Sequence, residues 1–450
     1  LTFDVRGETG GEEITFQIAD RAWEKKGDSV PVGKVAAFVP DGKITTAWQR
    51  VWIPLKKFPS GVNKKDLAGL VFQAAGTGGG KIYIKDMAFA VKKGVQIPAG
   101  RARTATYRAA HKAMWLWETD KITASPAKQR ELLDFCKSQG ITEIFIQIPY
   151  TTDQGPQTTD KRPWKITWDS SKIRPLIAAL SGIGVRVHAL DGDARFALRE
   201  WHGRVIALIN RIIEYNKEVP ANERFVGIRY DNEPYLLPNF SGVQKPDVLT
   251  QYMELLRASK NLAASAGLVY GVDIPFWFDA DNEFFEPVAE LGGRPMSEVI
   301  IDVVDNIGIM DYRTMAYGAD GVIAHGLDEL AYAAKKGKKV YIGLETIDLP
   351  DETLYEFSSN GSGPALVIKD LGGKKARISL TSGGGGGVTL HQNRSVNVPA
   401  SKLTFAHKPK GDLIKVMQEA GSEFSSFPSF NGFVIHSYES YRPWLERGGQ

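Results

Sequence analysis

Cysteine is nearly absent from these 450 residues: Cys136 is the only one. A single thiol excludes a disulfide framework and any zinc site built on several thiolates. Cys136 lies in LLDFCKSQG, an amphipathic helix pattern, where a buried structural thiol is expected. Also missing is any apolar run near the ~20 residues of a membrane-spanning helix, so no span is expected. The formal net charge is only +4 and no Lys/Arg block stands out, which excludes nucleic acid as the expected partner. No Gly-rich phosphate loop follows an apolar run, which disfavours an open doubly wound sheet. His111, His188, His325 and His436 show no H-x-x-x-H spacing, so neither a metal nor another cofactor is expected. DADNEFFE from Asp279 has the flavour of a calcium loop but lacks the glycine a tight one needs, and reads better as an acid cluster on a rim.

What is present is enough apolar sequence, 43%, for a substantial core, in a length that suits one large domain plus a smaller companion. A chain opening on Leu1 fits a removed secretion signal and sets the expectation of a secreted or periplasmic protein. Up to residue 95 the pattern has period two, as in EEITFQIAD, QRVWIPL and KIYIKDMAFAV, with breaks rich in Gly, Pro, Asp and Lys. Short strands without a convincing helix predict a β-sandwich over 1–95. A polar, basic linker follows over 96–110.

From 111 to 450 strand-like runs alternate with helical ones: KAMWLWE, ITEIFIQIPY, GVRVHAL, FVGIRYDNEP, LVYGVDIPFWF, NIGIMDYRTMAY, KKVYIGLETI and FNGFVIHSY. Intervening stretches such as AKQRELLDFCKSQG have apolar spacings of three and four and stop at glycine. Eight such units predict an α/β fold, a closed (β/α)8 barrel preceded by the all-β domain. Between the seventh and eighth runs lies a β-rich insertion at about 354–408. It reads as a hairpin with a tip at the five glycines Gly383 to Gly387, followed by a postponed helix in GDLIKVMQEAG.

Chemistry in such a barrel comes from the C-terminal strand ends. Those ends carry Trp117, Tyr150, His188, Asp231 and Glu233, then Trp277, Asp311, Arg313, Tyr317, Glu345 and His436. Any one acid there has a bland alternative as a cap or ion-pair partner, but acids converging among tryptophans suit a sugar. Cleaving a glycosidic bond needs two carboxyl groups, one of them held protonated to donate to the leaving oxygen. RYDNEPY (229–235) offers the donor: Glu233 sits at a strand tip beside Pro234. Asp231, two residues back, is expected on the same face, raising the pKa of Glu233.

Three resemblances attach to these residues. The early GG, the W..VWIPL segment and the closing IYIKDMAF make residues 1–94 resemble jelly-roll carbohydrate-binding modules; the alternative is a sandwich that only packs on its neighbour. DNEP on strand four and IGLET on strand seven resemble the four/seven pattern of retaining clan A glycoside hydrolases. That resemblance implies Glu233 as acid/base, Glu345 as nucleophile and Asn232 near the sugar 2-hydroxyl. GIRYDNEPY and TMAYG are also similar to strands four and six of chitinase-type barrels. There Asp231 and Glu233 would act together, Tyr317 would steady a substrate N-acetyl group, and Arg229 departs from the acid usual at its position. The preferred expectation is a secreted bacterial hydrolase of a polysaccharide or oligosaccharide, with Trp117, Tyr150, His188, Asn232, Trp277, Asp311, Arg313, Tyr317 and His436 as substrate-binding candidates. A carbohydrate-binding protein with an inactive barrel is the contrasting one, and the sequence carries no expectation of oligomeric state.

Overall fold

The computed structural model describes residues 1–24, 28–39, 42–64, 66–74, 81–89, 111–153, 163–240, 244–279, 288–317, 320–358, 365–372, 375–381 and 388–447. The chain divides into two compact units, Leu1–Ala105 and Thr106–Gln450. The linker over 96–110 and the tip Gly383 to Gly387 lie outside the described residues.

The first unit holds two three-stranded antiparallel sheets. In one, Thr2–Gly7 pairs with Gln49–Trp52 and with Ile82–Ala88. In the other, Ile14–Asp20 pairs with Val30–Lys34 and with Leu67–Ala74. Alternation along the strands turns Phe3, Val5, Phe16, Ile18 and Val51 into a common core. A short α-helical turn, Arg21–Glu24, departs from the all-β expectation. It starts where the Asp20 carboxylate accepts the N–H groups of Ala22 and Trp23, each at 3.0 Å.

The second unit is a closed barrel of eight parallel strands. In chain order these are His111–Leu116, Glu143–Gln147, Arg186–Asp191, Gly227–Tyr230, Val269–Pro275, Asn306–Met310, Lys339–Glu345 and Phe430–His436, called strands one to eight below. Helices lie between them as the periodicity requires. Two of these, Pro126–Gln139 and Val322–Lys336, stop at left-handed glycines, Gly140 (φ 63°) and Gly337 (φ 66°). Cys136 is fully buried in the first of them, and burial pushes its thiol up to about 12. The insertion after strand seven is larger than a hairpin. It is a four-stranded antiparallel sheet of Glu352–Ser358, Ala365–Gly372, Lys375–Thr381 and Val388–Val398, in the order first, fourth, second, third. The postponed helix follows as Lys410–Phe424.

Outward-facing strand residues such as Met114, Ile144, Ile146 and Tyr230 pack with the helices into the main core. Inward-facing ones form a separate, small apolar group: Ala113, Trp115, Phe145, Leu190, Tyr341 and Val434. The remaining interior is charged. Arg229 Nε lies 3.0 Å from both oxygens of Asp273, and Nη2 lies 2.5 Å from Oδ1. Nη1 donates to Asn306 Oδ1 at 2.8 Å, and the guanidinium stacks 4.4 Å from the Phe145 ring centre. Trp115 Nε1 donates to Asp273 Oδ2 at 3.0 Å. Strand six makes room by carrying Gly308, where a Cβ would fall 2.1 Å from Arg229 Nη2 and 2.2 Å from Asp273 Oδ1.

Replacing Arg229 alone leaves a charged carboxylate in that interior. Arg229→Met is expected to destabilise the barrel by about 3–5 kcal/mol. The double variant Arg229→Met with Asp273→Leu should recover a large part of that loss, since no uncompensated charge remains. Urea denaturation of the full chain measures both. A single variant no less stable than the double one would mean that the pair does not organise the interior.

Candidate active site

Strand four ends at Tyr230, and the chain then turns sharply: Glu233 has φ 45° and ψ 55°, and Pro234 opens a single 3-10 turn, Pro234–Leu236. Extended alternation therefore stops before Glu233, so a shared strand face is not what relates it to Asp231. The turn does that instead. Strand three meets it closely: Asp231 N donates to Asp191 O at 3.0 Å, and a Cβ on Gly192 would lie 2.1 Å from Asp231 O.

Both acids are held back from ionising. Burial, then the charges of Asp273 and Glu233, push Asp231 well above its usual range, with Arg229 opposing; its Oδ1 is buried without a partner among the described residues. Burial is also the main cause for Glu233. The Tyr235 hydroxyl, which donates to Oε2, pulls it back, Asp273 adds to the rise, and His436 opposes it. Asn232, between them, is fully buried, and neither amide atom has a partner among the described residues.

Glu345 ends strand seven in a different setting. Its Oε1 accepts the N–H groups of Thr346 at 2.7 Å and Ile347 at 2.6 Å, and Oε2 lies 2.8 Å from His436 Nδ1. His436 is its register partner on strand eight. Trp117, just past strand one, donates its indole N–H to His436 Nε2 at 3.1 Å. Burial lowers the His436 pKa, but its hydrogen bond to Glu345 and the charges of Glu345, Glu439 and Asp273 outweigh this and raise it. Glu439 Oε1 accepts the backbone N–H groups of Trp117 at 2.9 Å and Glu118 at 2.8 Å, fixing the end of strand one.

Tyr312 joins the two halves, and the sequence reading missed it. Its ring stacks on His436, 6.0 Å centre to centre at 23°. Burial, then the charges of Glu345, Asp231, Asp273 and Glu233, hold its hydroxyl well above its ordinary pKa. The M-x-Y spacing that pointed to Tyr317 also occurs at Met310-Asp311-Tyr312, directly where strand six ends.

Other candidates fall elsewhere. Tyr317, seven residues past strand six, is 57% exposed and feels Glu423 and Glu419 of helix Lys410–Phe424, away from the acids. His188 is the third residue of strand three, not its last. It is buried against Phe145, 3.6 Å from Glu143 at the start of strand two, and burial with the charges of Arg186 and Arg229 lowers it to about 3. Asp311 is buried against His325 at 2.8 Å, and Arg313 pairs with Asp320 at 2.7 Å over the Phe276 ring. Tyr150 donates to Asp191 at 2.7 Å and accepts from Arg204 at 2.9 Å; burial lifts Asp191 to about 6. Trp277 packs edge-on against Tyr235 at 5.1 Å, beside the turn that carries Glu233. Residues 280–286 of the acid-rich DADNEFFE stretch lie outside the described residues. Asp279 itself is lifted to about 6 by burial, with Asp328 and Asp311 adding. Among the described residues, no three His, Cys, Asp or Glu side chains are placed to hold a metal ion, and no helix is long and apolar enough to cross a membrane.

The raised Asp231 has a consequence for stability. The folded protein keeps a proton there that the unfolded chain releases near pH 3.9, so stability falls as pH rises from that value through the folded pKa. Asp231→Asn removes this liability. Its melting temperature should exceed the wild type's at pH 7.5, by about 2–4 °C for each kcal/mol relieved, with the gain shrinking towards pH 4. A gain independent of pH in thermal melts would show that ionisation of Asp231 is not the cause.

Residues 1–91 match the family model described as carbohydrate binding domain 30. No curated protein matches the chain. Solved structures similar to it include a chitinase from Chromobacterium violaceum, 12% identical over 76% of this chain and 99% of that one, TM-score 0.39. A Group IV chitinase from Ostrinia furnacalis is 13% identical over 73% and 93%, TM-score 0.40. The spore cortex-lytic enzyme of Bacillus megaterium is 13% identical over 75% and 72%, TM-score 0.38.

Proposed function

We propose that the barrel hydrolyses glycosidic bonds of a polysaccharide or oligosaccharide, with Glu233 as proton donor and Glu345 as nucleophile. The observation that carries this is that Glu233 and Glu345 stand at the C-terminal ends of strands four and seven of one barrel, with Tyr312 stacked on the His436 that meets Glu345 and with Glu233 biased towards its protonated form. A glycosidic oxygen leaves only when protonated, and a buried carboxylic acid is the group that can donate near neutral pH. Glu345 supplies the complementary carboxylate, its charge met by three N–H groups. A polymeric glycan substrate implies a secreted or periplasmic location.

A second reading is favoured by Asp231, whose Oδ1 is buried and unpartnered beside Glu233, while both Glu345 oxygens are already engaged. On it a substrate acetamido group is the nucleophile, oriented by Asp231 and Tyr312. One set of variants separates the two. Glu233→Gln should lower turnover of natural glycans by about 10²–10⁴-fold and spare aryl glycosides with good leaving groups in the first step. Glu345→Gly with added azide should yield a glycosyl azide if Glu345 is the nucleophile. Wild-type activity in Glu345→Gly with no azide adduct transfers the chemistry to Asp231 and the acetamido group. Wild-type activity in Glu233→Gln on glycan would reject both readings.

The first unit fits glycan binding through one sheet face. Trp52 (58% exposed) pairs with Thr2 and Tyr83 with Arg6, alternate positions of the central strand, and Arg6 lies 4.5 Å over the Tyr83 ring and 5.1 Å over that of Trp48. Sugars stack on such flat, half-desolvated rings while neighbouring polar groups take their hydroxyls. In the Glu233→Gln chain, which holds glycan without cutting it, Trp52→Ala should weaken retention on insoluble polysaccharide about tenfold, the equivalent of one lost aromatic contact. Unchanged retention would place glycan binding off this face.

A further inference from the structure

We infer that His436 is a positioning residue for Glu345, locked by Trp117 in the tautomer that carries its proton on Nδ1. The inference rests on the reading in which Glu345 attacks the sugar. An indole N–H can only donate. Because Trp117 Nε1 lies 3.1 Å from His436 Nε2, that nitrogen must present a lone pair. Glu345 favours a proton on the ring, but a second proton on Nε2 would set N–H against the indole N–H, so the imidazole keeps one proton, on Nδ1, which lies 2.8 Å from Glu345 Oε2. The contact is therefore a donated N–H.

Each link of this chain is itself fixed. Glu439 accepts the backbone N–H groups of Trp117 and of Glu118 beside it, Tyr312 stacks on the imidazole, and Trp115 meets its edge at 5.5 Å. On the far side, Glu345 Oε1 is taken by the N–H groups of Thr346 and Ile347. Oε2 is the only oxygen with a lone pair to spare, and His436 decides where it points. Attack on an anomeric carbon needs that lone pair aligned, and a misplacement of about 1 Å in such a group costs about 10²-fold in rate.

The test exploits the shape of histidine. An asparagine amide nitrogen, borne on Cγ, takes the place of Nδ1, whereas glutamine carries its nitrogen one atom further out. Full-length His436→Leu, His436→Asn and His436→Gln are assayed on an aryl glycoside, with folding checked by thermal melts. The expected result is a drop in kcat/KM of about 10²-fold for His436→Leu, carried mainly by kcat, with His436→Asn recovering most of it and His436→Gln little. In ¹⁵N-histidine-labelled wild type, the His436 nitrogens should report Nδ1–H, and Trp117→Phe should shift the Nε2 resonance. A proton on Nε2, wild-type activity in His436→Leu, or equal activities for the Asn and Gln variants would overturn the inference. The tautomer and the Asn–Gln order are read without azide. Failure of Glu345→Gly to form a glycosyl azide therefore removes only the parent reading.

Discussion

The barrel is organised around the ion pair of Arg229 and Asp273. Interiors of this architecture are normally filled by layers of branched apolar side chains. Here the middle layer is a guanidinium, a carboxylate and aromatic rings. Burying two charges is costly unless every polar atom is met, and this pair comes close, with Asn306, Trp115 and Phe145 serving the two groups. Space is as restrictive as charge. Gly308 stands where any larger residue would strike both partners.

The pair also sets the electrostatics above and below it. Upwards, the charge of Asp273 acts on Asp231, Glu233, Tyr312 and His436, raising all four. Downwards, Arg229 joins Arg186 and burial in keeping His188 neutral. Strand four therefore supplies the interior cation, Arg229, and strand five the anion that meets it, Asp273.

The eight strands were legible because each is an apolar run ended by a polar change and separated by helices with their own period. Glu233, Glu345, His436 and Trp117 were singled out because they stand at those changes, and the structure places them at or just past strand ends. What escaped depended on where a strand actually stops. NIGIMDYRTMAY reads as one long run, yet pairing ends at Met310, so Tyr312 takes the place at the site that spacing offered to Tyr317. His188 failed in the opposite sense, lying too early in its strand to reach the mouth. The tie between Asp231 and Glu233 was inferred from period two, whereas a left-handed residue and a 3-10 turn produce it. Periodicity locates a strand, but a site is built in the two or three residues after periodicity ends.

Those residues give two glutamates of identical chemistry different surroundings. Glu233 stands in a turn, buried, within the field of Asp273, with one phenol as its donor. Glu345 ends a strand whose next two N–H groups fold back onto it, and a histidine covers the other oxygen. Burial and the charge of Asp273 bias Glu233 towards its protonated form. The difference in hydrogen bonding follows from the backbone each residue terminates: among the described residues the turn directs no N–H at Glu233, and the end of a parallel strand directs two at Glu345. Exchanging the side chains would leave this asymmetry in place, because it belongs to the two positions and not to the residues that occupy them.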